Sequence, residues 1–92
     1  MTAESPPYSI EYARPAAKSL GRLEKETARR TRDAIDKLAA DPHPHGLIKL
    51  AGPDELCRIR VGDYRVIYAV IDERVVVLIL RIAHRREVYQ SP

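Results

Sequence analysis

Six consecutive aliphatic residues, Val75-Val76-Val77-Leu78-Ile79-Leu80, constrain the fold of this 92-residue chain more than any other stretch. A run without polar alternation is apolar on both faces, so as a strand it belongs inside a sheet with a neighbour on each side. It is far too short to span a bilayer. One neighbour is Tyr64–Ile71, a second strand reached through the Asp72-Glu73 turn. Leu56–Val61, joined to Tyr64 through Gly62-Asp63, takes the far side of that strand. The remaining side of the aliphatic run then falls to the N-terminal segment, where Tyr8, Ile10 and Tyr12 alternate with Ser9 and Glu11. The expected sheet order is first, fourth, third, second.

Between the first strand and the other three, the apolar period changes to that of helices. Pro15 suits the first turn of a helix, and Ala16, Ala17, Leu20 and Leu23 recur on its inner side, with Lys18, Arg22 and Lys25 outside. Gly21 weakens it. A second helix runs from about Glu26, with Ala28, Ile35, Leu38 and Ala39 inward. It stops where Asp41-Pro42-His43-Pro44-His45-Gly46 forbids continuation. The expected fold is α+β, a single domain over residues 1–92 with order β-α-α-β-β-β, the helical hairpin covering one face of the sheet. Residues 1–7, polar and proline-rich, are expected to be disordered. Phe and Trp are absent, so the core is built from Ile, Val, Leu, Ala and tyrosines. A single cysteine, Cys57, precludes an internal disulfide framework and points to a reducing compartment; on its strand it reads as a small buried residue. With no apolar leader and no spanning segment, a soluble cytoplasmic protein away from membranes is expected.

The stretch Arg58-Ile59-Arg60-Val61-Gly62-Asp63-Tyr64-Arg65 raises a different question. If Gly62-Asp63 is a two-residue turn, Val61 pairs with Tyr64 and Arg60 lies directly opposite Arg65, with Arg58 on the same face. Like charges across a sheet destabilise it, so a partner outside the chain is expected to compensate them. Cys57, Ile59, Val61, Tyr64, Val66 and Tyr68 then form the core face, and Ile67, Ala69 and Leu78 extend the arginine face. His84-Arg85-Arg86-Glu87-Val88-Tyr89 brings further charge toward the same end. A net charge of +3 and a pI of about 9.2 lean toward a polyanion. Arginine forks grip phosphate oxygens bidentately and stay charged at any working pH. A nucleic-acid backbone is the better reading and an acidic protein segment its chief competitor, while a solvated surface is the default for an arbitrary charge run. Tyr89 is either a packed tyrosine or one that stacks on a base or transfers a proton. His84 either extends the patch or acts as an acid or base. His43 and His45, without a third donor, are turn residues rather than metal ligands. Arg29, Arg30 and Arg32 read as solvated helix charge. No Walker loop, nucleophile elbow, Cys-His metal spacing or scaffolded carboxylate pair is present. RNA cleavage survives these exclusions, because RNA carries its own nucleophile in the 2′-hydroxyl.

Three segments, Leu50-Ala51-Gly52, Arg60-Val61-Gly62-Asp63-Tyr64-Arg65-Val66-Ile67-Tyr68 and Ala83-His84-Arg85-Arg86-Glu87-Val88-Tyr89, resemble the RelE/ParE superfamily of bacterial toxins, and more closely its RelE-type messenger RNA endonucleases. The resemblance implies a toxin of a type II toxin–antitoxin system, a metal-independent and cofactor-free ribonuclease that cuts messenger RNA in the ribosomal A site. It also implies a catalytic set of Arg58, Arg60, Arg65, Arg85 and Tyr89, with Lys49, His84 and Arg86 binding RNA. Arg65 and Arg85 would hold the scissile phosphate. The implied partners are a RelB-like antitoxin encoded alongside, the ribosome with its messenger RNA, and operator DNA for the toxin–antitoxin complex. Arg58 and Arg60 stand where the best-known member type has lysines, and Ala51 where a basic residue is often found. With a pKa above about 12, arginine is a poor general base. Proton abstraction would fall to Tyr89, to His84 or to the ribosome. Two other readings follow from the same resemblance: a ParE-like, non-enzymatic inhibitor of DNA gyrase, and a degenerate toxin whose basic face only binds its antitoxin.

Overall fold

The computed structural model describes residues 8–43, 48–49 and 56–84. The elements are β1 (Ser9–Tyr12), α1 (Arg14–Arg22), α2 (Lys25–Lys37), β2 (Ile48–Lys49), β3 (Leu56–Val61), β4 (Tyr64–Ile71) and β5 (Val76–His84). They form one sheet of order β1-β5-β4-β3-β2. The aliphatic run does lie inside it, with β1 parallel on one side and β4 antiparallel on the other. The expected order of four strands is thus present, and the two-residue β2 is added antiparallel to β3 at the edge. Residues 1–7, for which disorder is expected, lie outside the described residues.

Pro15 occupies the first turn of α1, where a backbone N–H has no helical acceptor to lose. Ala16 is buried, but Ala17 is exposed, contrary to the inward position expected for it. One residue around a helix is about 100°, which carries Ala17 off the stripe shared by Ala16, Leu20 and Leu23. In α2, Glu26 in the first turn and Lys37 in the last complement the helix dipole. Arg29 pairs with Glu26 at 2.6 Å and Asp33 at 3.7 Å on the solvated side. Thr31 is fully buried among the apolar positions, its hydroxyl donating to the Thr27 carbonyl at 2.8 Å. That local bond lets a polar residue sit in the core. Ala16, Ile35 and Leu38 from the helical side pack on Cys57, Val61, Val66, Tyr68, Val70, Val77, Ile79 and Ile82 of the sheet.

The two hairpin turns differ. Gly62 has φ 60° and Asp63 does not share that sign, the pattern of a two-residue turn with glycine first. The Asp72–Val75 turn is longer than expected: Arg74 N–H donates to the Ile71 carbonyl and Val75 N–H to the Asp72 carbonyl, each at 3.2 Å. Its last residue, Val75, has φ 56° and is 44% exposed, so β5 begins at Val76, one residue into the aliphatic run. The Val75 carbonyl accepts from Ser9 N–H at 2.9 Å, which ties the turn to β1. Tyr8 donates to Asp72 at 2.7 Å and Arg74 reaches Glu11 at 3.4 Å across the same end.

Candidate nucleic-acid interface

The register sets Arg60 opposite Arg65 and Val61 opposite Tyr64. A two-residue loop makes its closing pair the hydrogen-bonded one, so alternation leaves Arg60 and Arg65 as a non-hydrogen-bonded pair, the closer kind, with Cα atoms about 4.5 Å apart. Cys57, Ile59, Val61, Tyr64, Val66 and Tyr68 share the helix-covered face, and Arg58, Arg60, Arg65, Ile67, Ala69 and Leu78 share the other. Arg60 is exposed, and its Nε donates to the Gly62 carbonyl at 3.2 Å. This bond folds the side chain back over the turn. Arg58 is half-buried. Arg65 is only 7% exposed although it faces away from the helices.

Pairing between β4 and β5 slips by one residue. Ile67 lies opposite Arg81 and Tyr68 opposite Ile79, which leaves Leu80 as the extra residue of a β-bulge. Because side chains alternate with period two, the extra residue exchanges the faces of everything after it. Ile82 enters the core. Arg81, exposed, joins Arg58 and Ile67 in one row across three strands of the arginine face; Ala83, Arg65 and Arg60 form the next row. Arg81 was not among the expected site residues. His84, by contrast, lies opposite Tyr64 on the helix-covered face, with the two rings in an edge-to-face contact at 5.2 Å. It therefore does not share a face with Arg60 and Arg65. Lys49 stands at the register position opposite Cys57. Arg85, Arg86 and Tyr89 lie outside the described residues, as do Leu50, Ala51 and Gly52.

The charge on this face is one-sided. Among the described residues, Glu11 is the one acidic residue on the strands of the arginine face; it lies beside Leu78 and is engaged by Arg74. The side chains of Arg58 and Arg81 make no hydrogen bond or ion pair among the described residues. Such guanidinium groups suit an anion with several spaced oxygens. Behind the face, Tyr68 anchors β4 by donating to the Pro42 carbonyl at 2.7 Å; burial pushes its phenol far above the usual range, and Cys57 and Asp41 add to the shift. No group of three His, Cys, Asp or Glu side chains among the described residues is arranged to hold a metal ion. No described helix is long and apolar enough to cross a membrane.

Comparison with known proteins gives one consistent picture. A family model described as ParE toxin of type II toxin-antitoxin system, parDE, matches residues 10–89. Among solved structures, the chain is 37% identical to a chain of the archaeal RelE–RelB complex from Pyrococcus horikoshii OT3, covering 86% of this chain and 96% of that one with a TM-score of 0.77. It is 26% identical to a chain of the toxin–antitoxin complex RelBE2 from Mycobacterium tuberculosis, covering 86% and 99% with a TM-score of 0.75. A Methanocaldococcus jannaschii protein provisionally named toxin RelE1 is 27% identical over 88 residues, 92% of this chain and 98% of that protein.

Proposed function

We propose that this chain, which belongs to the ParE toxin family of type II toxin–antitoxin systems within the RelE/ParE superfamily, is a ribosome-dependent endoribonuclease that cuts messenger RNA in the A site. The observation that carries this reading is the cross-strand pair Arg60–Arg65, held in register beside Arg58 on the face the helices leave. Two guanidinium forks set side by side offer paired donors to the oxygens of one phosphate. In the reaction the RNA 2′-hydroxyl loses a proton and attacks the adjacent phosphorus. The bond to the 5′-oxygen breaks, that oxygen takes up a proton, and the products are a 2′,3′-cyclic phosphate and a 5′-hydroxyl. Arg65 and Arg85 hold the scissile phosphate and stabilise the charge of the pentacoordinate state. Arg58 and Arg60 hold the backbone, and Tyr89 stacks on a base or moves a proton. Lys49 and Arg86 are assigned to RNA binding on the resemblance alone. His84, set against Tyr64 on the helix-covered face, is a weaker candidate for RNA contact than the arginines.

A RelB-like antitoxin encoded alongside is the proposed partner, on the strength of the RelE–RelB complex that the chain resembles; operator DNA is proposed for the toxin–antitoxin complex. The cytoplasm is the proposed site of action. Mapping messenger RNA ends by primer extension after induction tests the activity. New ends within codons are the expected result, and growth arrest without them would sink it. The Arg65→Ala chain should lose toxicity while still binding antitoxin. The parDE description of the matched family model favours a second reading, inhibition of DNA gyrase without RNA cleavage. A supercoiling assay with purified gyrase separates the two.

A further inference from the structure

The bulge at Leu80 puts Arg81 on the arginine face, in one transverse row with Ile67 and Arg58. Neighbouring strands lie about 4.8 Å apart, so the Cα atoms of Arg58 and Arg81 stand about 10 Å apart with Ile67 between them. The Arg60–Arg65 row is two residues along the strands, or about 7 Å away. Arg81 is exposed on β5, an interior strand, where a cation has no sheet edge to protect. Neither it nor Arg58 meets an acid among the described residues. Two guanidinium groups with an apolar floor between them match a sugar–phosphate backbone better than an acidic peptide. A ribose or base can rest on half-buried Ile67 while a phosphate oxygen meets each fork.

From this geometry we infer that Arg81, paired with Arg58 across Ile67, is a second phosphate clamp that holds the nucleotide flanking the scissile one. The inference rests on the ribonuclease reading above and assigns Arg81 to substrate binding rather than to the bond-breaking step. Its removal therefore weakens capture of the RNA and leaves the maximal rate alone.

The test uses the full chain, ribosomes programmed with a defined messenger RNA, and single-turnover cleavage at rising toxin concentration. Arg81→Ala should raise the half-saturating concentration by about tenfold and change the maximal rate by less than about twofold. Losing one single-strand phosphate contact should also lower the salt slope of binding by about 0.7. Arg81→Lys, which keeps the charge, should recover much of the loss, and Arg81→Glu should exceed it. Arg22→Ala, an exposed charge on α1, should behave as wild type and excludes a general charge effect. If the wild type cuts and Arg81→Ala matches it in half-saturation and salt slope, the clamp is refuted alone. Loss of antitoxin affinity with unchanged cleavage kinetics refutes it in favour of a protein-binding row. A wild type that cuts nothing refutes the clamp together with the ribonuclease reading.

Discussion

Replacing Tyr68 by Phe tests whether the arginine face depends on an anchor behind it. Tyr68 is fully buried on β4, three residues from Arg65, and its hydroxyl donates to the Pro42 carbonyl at 2.7 Å. The substitution keeps the ring and deletes the hydroxyl with its bond to Pro42. A buried bond of this kind contributes about 1 kcal/mol net, and the Pro42 carbonyl left without its donor adds to the loss, so the total is about 1.5–2 kcal/mol. With an unfolding entropy of about 2.1 cal/mol/K per residue, a 92-residue chain loses roughly 8–10 °C in Tm. The phenol also has a pH signature. Its folded pKa is raised, chiefly by burial, so its contribution is complete below the unfolded value of about 10 and is lost as pH rises above it. Wild-type Tm should therefore fall steeply above about pH 10, and Tyr68→Phe should flatten that fall while lying lower at pH 7. Half-buried Tyr8, raised mainly by its bond to Asp72, gives a weaker effect of the same sign. Thermal melts followed by circular dichroism read both. A variant that melts within about 2 °C of wild type at pH 7, with the alkaline limb unchanged, would refute the anchor.

Two further substitutions address the turns. Val75→Gly should stabilise by about 0.5–1 kcal/mol, because a β-branched residue in the left-handed region costs more than the added chain entropy of glycine; Val75 at φ 56° and 44% exposed has little packing to lose. A urea midpoint that falls instead would show that the valine side chain matters there. Gly62→Ala should destabilise by about 1–2 kcal/mol, since φ 60° is strained for any side chain even where the space is open. As the turn sets the Arg60–Arg65 register, that variant should also lose cleavage at temperatures where it remains folded; full activity at such temperatures would separate the row from the turn.

Topology and the faces of β3 and β4 are legible in the sequence for one reason, and depth is not, for another. A two-residue turn and a side-chain period of two are geometric, so the pairing of Arg60 with Arg65 can be counted off along the chain. Burial depends on what else comes to lie near, and counting along a strand assigns Arg65 its face without revealing that it is only 7% exposed. Nor does a hydrophobic stripe announce Thr31, whose polarity is absorbed by a bond to its own helix.

The bulge at Leu80 is written into the chain by a residue other than the one that bulges. Counting forward from the Asp72-Glu73 turn puts Leu78 on the open face, and unbroken alternation would send Leu80, Ile82 and His84 there with it. Arg81 would then point into the core. Nothing in Val76–Leu80 marks a slip, because aliphatic residues satisfy either face. Arg81 itself does. Burying an unpaired guanidinium costs several kcal/mol, whereas one bulge leaves a single residue out of the ladder. The cheaper solution is the one observed: Ile79 faces Tyr68, Arg81 faces Ile67, and Ile82 is buried. A charge at a parity-forbidden position inside a central strand is thus a bulge signal. Here the same slip decides the site's membership, adding Arg81 to the row of Arg58 and setting His84 against Tyr64 on the other side of the sheet.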